Sequence, residues 1–157
     1  MARLGEVEVS SKLGAPVEQV WARVSTPEGI NHELMPIMRM TVPRRAGTLD
    51  LNDVPVGEPL GRCWVLLFGL IPVDYDDLMI VRLEPGRGFL ERSRMLSNRL
   101  WEHERTLEPI DDGCLISDRL RFEPRPPLPG RFEAPIVRAL FRHRHRRLRR
   151  HFGAIPD

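Results

Sequence analysis

The stretch "VEVSSKLGAPVEQVWARVSTPEGIN", Val7–Asn31, changes its hydrophobic period part-way along. Across Gly5–Leu13 the residues alternate: Val7, Val9, Ser11 and Leu13 share one side, and Glu6, Glu8, Ser10 and Lys12 share the other. A period of two marks a half-buried strand. Gly14-Ala15-Pro16 breaks it, and Pro16 suits a helix start because its missing N–H would have no partner there. Val17, Val20, Trp21 and Val24 then recur at i, i+3, i+4 and i+7, the apolar face of a helix. Ser25-Thr26-Pro27-Glu28 ends that helix and opens another, with Thr26 as N-cap and Pro27 in the first turn. "INHELMPI" completes it before Pro36. The chain therefore begins strand, short helix, short helix, with Trp21 in the core.

Six further strands follow. "MRMTVP" is the second, and a loop rich in Gly and Pro runs from Arg44 to about Pro59. "LGRCWVLLFGL" is the third and Tyr75–Leu83 the fourth, joined through "EPGRG" to a fifth at Phe89–Leu96. "SNR" leads to a sixth, Trp101–Pro109, and "DDG" to a seventh, Cys114–Pro124. A proline-rich connector, "PRPPLPG", precedes a long helix from about Glu133 to Phe152. Consecutive strands with tight turns imply an antiparallel sheet. Its apolar face needs a cover, and the last helix is the only long element available.

Composition limits the function classes. The 157 residues, 41% hydrophobic and 29% charged, fit one soluble domain spanning 1–157. Such a chain buries roughly 70% of its unfolded surface. The longest apolar run, "WVLLFGLIPV" (Trp64–Val73), contains Gly69 and Pro72 and is about half the ~20 residues of a membrane span. The first residues hold no apolar signal core. Cys63 and Cys114 are too few for a disulfide framework or a zinc site, and a reduced, cytoplasmic location is expected. "GRG" at Gly86–Gly88 is a hairpin turn rather than a nucleotide loop, so no cofactor is implied. Net charge is +2, but Ala134–Asp157 carries seven arginines and one acid, leaving 17 basic and 21 acidic residues elsewhere. That asymmetry fits an anionic partner, or an acidic sheet packed on its own basic helix.

With these elements in place, the chain resembles the START-like (SRPBCC) helix-grip superfamily, which includes polyketide cyclases and birch-pollen-allergen-like ligand carriers. The likeness rests on "VEVSSKLGAPVEQVWARVSTPEGIN", "GRCWVLLFGLIPVDYDDL", "WEHERTLEPIDDGCLISDRLRFEPR" and the final helix, and covers nearly the whole chain. It implies an α+β fold: a curved seven-stranded antiparallel sheet wrapped around a long C-terminal helix, with two short helices between the first and second strands. It also implies an apolar cavity between sheet and helix. It implies no universal catalytic triad.

The last hairpin indicates which residues face that cavity. With Asp112-Gly113 as a two-residue turn, Leu107 faces Asp118, Arg105 faces Leu120 and His103 faces Phe122. One face then carries Trp101, His103, Arg105, Leu107, Asp118 and Leu120. The other carries Glu102, Glu104, Thr106, Arg119 and Arg121 and is the wet one. Arg105 and Asp118 fall diagonally opposite. They either neutralise each other in an apolar surround or orient a polar or anionic ligand group. His103 reads as a hydrogen-bonded lining residue; His103 and Asp118 are also the candidates for acid–base work. Tyr75 is expected at the cavity rim, and Trp64 and Trp101 in core or lining. The acids of "VDYDDL" read as the solvated start of a strand, lacking calcium-loop spacing.

On the final helix, Val137, Phe141, Leu148 and Phe152 form one stripe, with Leu140 at its edge. Arg138, Arg142, Arg146, Arg149 and Arg150 lie opposite, with His143 beside them. Arg144 lies inside the stripe and His145 on its shoulder. Arg144 is therefore expected to point inward, toward a carboxylate such as Asp118 or toward a ligand. His143 and His145 are two apart and point away from each other, so they form no metal pair.

Three functions have residues that speak to them, beside a partner-binding module of the co-chaperone sort to which nothing in the sequence speaks directly. The first is a carrier or sensor enclosing a small hydrophobic, aromatic or lipid-like molecule, with Trp64, Tyr75, Trp101, His103, Arg105, Asp118, Leu120, Phe141, Arg144 and His145 as ligand-binding candidates. The second is a cyclase- or dehydratase-like enzyme in the same cavity, with His103 or Asp118 moving a proton and Arg105 stabilising an enolate. The third is binding of nucleic acid or an anionic membrane by the basic helix. No groove-reading motif or stacking platform supports it.

Overall fold

The computed structural model describes residues 4–43, 50–126 and 130–156. Residues 44–49 of the glycine- and proline-rich loop and 127–129 of the connector lie outside the described residues. The elements are β1 (Gly5–Leu13), α1 (Val17–Val24), α2 (Pro27–Leu34), β2 (Met38–Met40), β3 (Pro59–Leu67), β4 (Ile71–Glu84), β5 (Gly88–Met95), β6 (Asn98–Ile110), β7 (Gly113–Pro124) and α3 (Gly130–Phe152). The strands form one antiparallel sheet in the order β1-β7-β6-β5-β4-β3-β2. Bulges in β3, β4 and β6 interrupt its registers and kink the strands, which helps the sheet curl. The longest apolar run of the sequence is the β3–β4 hairpin.

The local rules account for the first third. β1 buries Val7, Ser11 and Leu13, and α1 buries Val17, Val20, Trp21 and Val24, as their periods require. The hydroxyl of Thr26 accepts a hydrogen bond from the Gly29 amide at 3.1 Å and caps α2. Gly29 has a steric role as well. A Cβ there would lie 1.8 Å from the Arg23 carbonyl oxygen, so only glycine lets α2 lie this close to the end of α1. Asn31 then fixes α2 to β2 by bonding both the amide and the carbonyl of Met40, at 2.8 and 3.1 Å.

The β6–β7 pairing differs from the sequence expectation. Arg105 faces Asp118 directly, His103 faces Leu120 and Trp101 faces Phe122; the turn residues are Asp111-Asp112. The shift is two residues, so every side chain keeps its expected face. Gly113 explains it: a Cβ there would lie 1.9 Å from the Leu13 carbonyl oxygen. The glycine serves the close approach of β1, not a left-handed turn.

α3 lies across the concave face, against β1, β7 and α2. Val137, Phe141, Arg144, His145, Leu148 and Phe152 face inward. At its C-terminal end Gly153 is left-handed (φ 85°), the Gly14 amide donates to the Gly153 carbonyl at 2.9 Å, and Ala154 bridges to Leu13. Among the described residues no helix is long and apolar enough to cross a membrane.

Candidate functional site

Two polar assemblies occupy the space between sheet and helix. The first is a sealed ionic network. Arg105 donates from Nε and Nη2 to Asp118, both at 2.7 Å, and from Nη1 and Nη2 to Glu33, at 3.0 and 2.7 Å. Arg144 donates from Nε to the same Glu33 at 3.1 Å. Asp118 also accepts from Nε2 of His103 and Nε2 of His145, each at 2.7 Å. Two guanidinium and two carboxylate charges cancel, and forked geometry satisfies them. Burial pushes the Asp118 and Glu33 carboxyls up, but the arginine charges and hydrogen bonds outweigh it, so both lie below the usual range. Burial likewise dominates at His103 and lowers it against the pull of Asp118, which keeps the imidazole neutral. At His145, Nδ1 meets the Ser11 hydroxyl at 2.8 Å, and Ser11 in turn accepts from Arg149 at 2.9 Å. Facing the Asp118 carboxylate, Nε2 is the donor.

The second assembly is a cavity of about 280 Å³. Leu34 of α2, Met38 and Met40 of β2 and Val65 of β3 form one wall. Met95 and Trp101 of the sheet and Ile136, Val137, Leu140 and Phe141 of α3 form the others. Its polar groups are His103, Arg144 and a chain of acceptors. The Ser97 hydroxyl bonds Asp74; Asn98 Nδ2 donates to Ser97 Oγ at 2.9 Å and to Glu133 Oε1 at 2.7 Å. Asp76 and Glu91, both buried, also line the cavity. Burial pushes Asp76 up to about 7, with the Asp74 charge adding to it. Burial, then the charge of Asp76, raises Glu91 well above the usual range. Glu133 is raised too, mainly by burial.

The structure therefore divides the ten ligand-binding candidates. Trp101, His103, Phe141 and Arg144 line the cavity. Arg105, Asp118 and His145 do not; they lie in the network behind its wall. Leu120 is packed among Val7, Phe122 and Val137. Trp64 and Tyr75 lie on the opposite, outer face, where the rings meet edge-on at 5.9 Å and the Arg62 guanidinium sits 3.7 Å over Tyr75. Cys63 and Val65 take the inward positions of β3 instead. Asp118 is fully buried and accepts from four donors. Arg144 pairs with Glu33 rather than Asp118.

Sequence reasoning missed Glu33, Asp76, Glu91, Asn98 and Glu133. Asp76 corrects the view of "VDYDDL" as a solvated strand start: it is 3% exposed. Its parity was a usable signal, since Asp76, Leu78 and Ile80 share one face of β4. The basic helix is also less free than its composition suggested. Besides Arg144, Arg147 donates to the His32 carbonyl at 3.0 Å, Arg149 to Ser11, and His143 contacts the Met35 carbonyl at 3.0 Å. Arg142, Arg146 and Arg150 remain exposed.

A sequence profile described as Domain of unknown function (DUF8410) matches residues 11–152. The chain belongs to the DUF8410 family. No curated protein gives a significant sequence match to this DUF8410 chain. Among solved structures it is similar to protein CV1439 from Chromobacterium violaceum, with 18% identity, a TM-score of 0.74 and coverage of 98% of this chain and 99% of that one. It is also similar to a START superfamily protein from Mycobacterium smegmatis, at 12% identity, TM-score 0.69 and coverage of 94% and 96%. A third is CalU16 from Micromonospora echinospora, at 16% identity, TM-score 0.61 and coverage of 99% and 86%. This DUF8410 chain has the START-like helix-grip fold.

Proposed function

We propose that this DUF8410 chain is a single ligand-binding domain, a carrier or sensor that encloses one small, largely apolar molecule between its sheet and α3. The observation that carries this is the cavity of about 280 Å³, walled by apolar side chains from α2, β2, β3 and α3 and supplied with a few convergent polar groups. That volume lies just below the roughly 300–1,000 Å³ typical of ligand pockets and suits a small ligand. The sealed network is the frame: its charges are fully matched, so Arg105 and Asp118 hold the wall and do not meet the ligand. The START-like fold of its structural relatives fits the same reading by analogy.

Tryptophol, an indole with a neutral hydroxyethyl group, is the test probe. Wild-type protein takes it up, with NMR shifts confined to Met40, Val65, Met95 and Phe141. Leu140→Trp fills the cavity and abolishes the shifts while circular dichroism stays unchanged. Uptake that Leu140→Trp leaves intact, or shifts elsewhere, refutes the reading.

One observation favours a second reading, an enzyme of the cyclase or dehydratase kind. Asp76, raised to about 7 inside the cavity, is suited to proton transfer near neutrality, unlike His103 or Asp118. Turnover that follows the titration of Asp76 and disappears in Asp76→Asn, with binding retained, would distinguish it.

A further inference from the structure

The cavity wall is strongly biased toward acceptors. Asp76 Oδ1, Asn98 Oδ1 and Glu133 Oε2 are buried and have no hydrogen-bond partner among the described residues. Their residues are 3%, 1% and 9% exposed and all three line the cavity. Both N–H groups of Asn98 are engaged, with Ser97 and Glu133, so the amide can only accept from the cavity side. Four carboxyls line the space: Asp74, Asp76, Glu91 and Glu133. Among the described residues Arg144 is the one arginine in the wall, and it is bonded to Glu33 within a network already balanced in charge. His103 gives its Nε2 proton to Asp118. Buried acceptors left unmatched cost free energy, and a ligand supplying donors recovers it.

A metal ion is a poor match: among the described residues no group of three or more His, Cys, Asp or Glu side chains is arranged to hold one. The rest of the wall is apolar, with three methionines, Met38, Met40 and Met95. Such a surround suits an organic body carrying the charge. Resting on the reading of the cavity as a ligand site, we infer that its ligand is an amphipathic organic cation, an apolar or aromatic molecule bearing a protonated amine. The ammonium group donates to Asp76, Asn98 and Glu133, and the body lies against the methionines, Trp101 and Phe141. A carboxylate ligand meets four acids and unmatched acceptors, so the same wall excludes it. Binding the cation also favours the ionised form of Asp76 and Glu91, and so releases protons at neutral pH.

Three probes with one indole body separate the possibilities: tryptamine, tryptophol and indoleacetate, measured by titration calorimetry at about pH 8. Tryptamine is expected to bind about tenfold or more tighter than tryptophol, the scale of a charge-assisted hydrogen bond, with indoleacetate weakest. At about pH 7, titrations in buffers of different ionisation enthalpy should show proton release with tryptamine only. The tryptamine advantage should shrink at about pH 5, where Asp76 holds its proton and no longer offers a carboxylate to the ammonium group. Asp76→Asn and Glu133→Gln should each reduce tryptamine affinity several-fold and leave tryptophol unchanged, with folding checked by circular dichroism. Equal affinity for amine and alcohol, or preference for indoleacetate, overturns the inference while the cavity reading stands. Failure of all three to bind overturns both.

Discussion

The substitution Asp76→Asn should make the protein more stable at neutral pH, although it alters a buried polar residue. The reason is in the titration of Asp76, displaced by burial from the usual 3.8 to about 7. At about 1.4 kcal/mol per unit, that corresponds to about 4 kcal/mol, an upper bound once Glu91 readjusts. The sign follows from proton counting. Between the unfolded value and about pH 7 the folded chain holds a proton on Asp76 that the unfolded chain has lost. The contribution to stability is complete in acid and is lost as pH rises through about 7. Asparagine cannot ionise, so the variant does not lose it. Urea unfolding of both proteins from about pH 4.5 to 8.5 gives the difference directly. The variant should match wild type at the acid end and exceed it by about 2–4 kcal/mol at the alkaline end. His103, lowered mainly by burial, loses stability as pH falls below its unfolded value and opposes the trend, but it is common to both proteins and cancels. Parallel curves, or a variant less stable at pH 8, would refute this account of the cavity acids.

Other substitutions test the division between network, cavity and outer face. Arg105→Met should lower stability by about 3–5 kcal/mol in urea unfolding, because it strands Glu33 and Asp118 as buried charges. Below the normal carboxylate pKa their protonation should also cause the acid limb of unfolding, since both lie lower when folded. Trp64→Ala and Tyr75→Phe should leave probe affinity unchanged, as measured by calorimetry, because both rings lie outside the sheet. Gly113→Ala should cost about 1–3 kcal/mol or more by the same unfolding assay, since its methyl group would meet the Leu13 carbonyl.

Much of this architecture is written in short-range pattern. The period of two in Gly5–Leu13, the helical spacing of Val17 to Val24 and the Thr26 cap are each determined by neighbours a few residues away. The β6–β7 hairpin shows why the reading survives an error of detail: two residues of slip preserve parity, so His103, Arg105 and Asp118 remained inward. Arg144 was found because one charge interrupts an apolar stripe. The site was less legible because its parts meet only in three dimensions. Glu33 sits on a short helix whose inner face is defined by α3, more than a hundred residues on. Trp64 lies in a continuous apolar run in which alternation gives no parity, so its outward direction left no mark. Asp76 hid among exposed acids, and only the company of Leu78 and Ile80 on its face separated it from Asp77.

The uneven fastening of α3 has a consequence for how the space beneath it opens. Its C-terminal half carries the bonds to Glu33, Asp118, Ser11 and the His32 carbonyl, and its end is stitched to Leu13 and Gly14. Its N-terminal half is held by the packing of Ala134, Val137 and Phe141 and by the Asn98–Glu133 bond, and Ile136 is exposed. The least costly way to open the molecule is thus a tilt of α3 pivoting near Gly153, like a lever hinged at one end. Amide hydrogen exchange should show this directly as protection that declines from Leu148 back toward Glu133, and that evens out once the space beneath is filled.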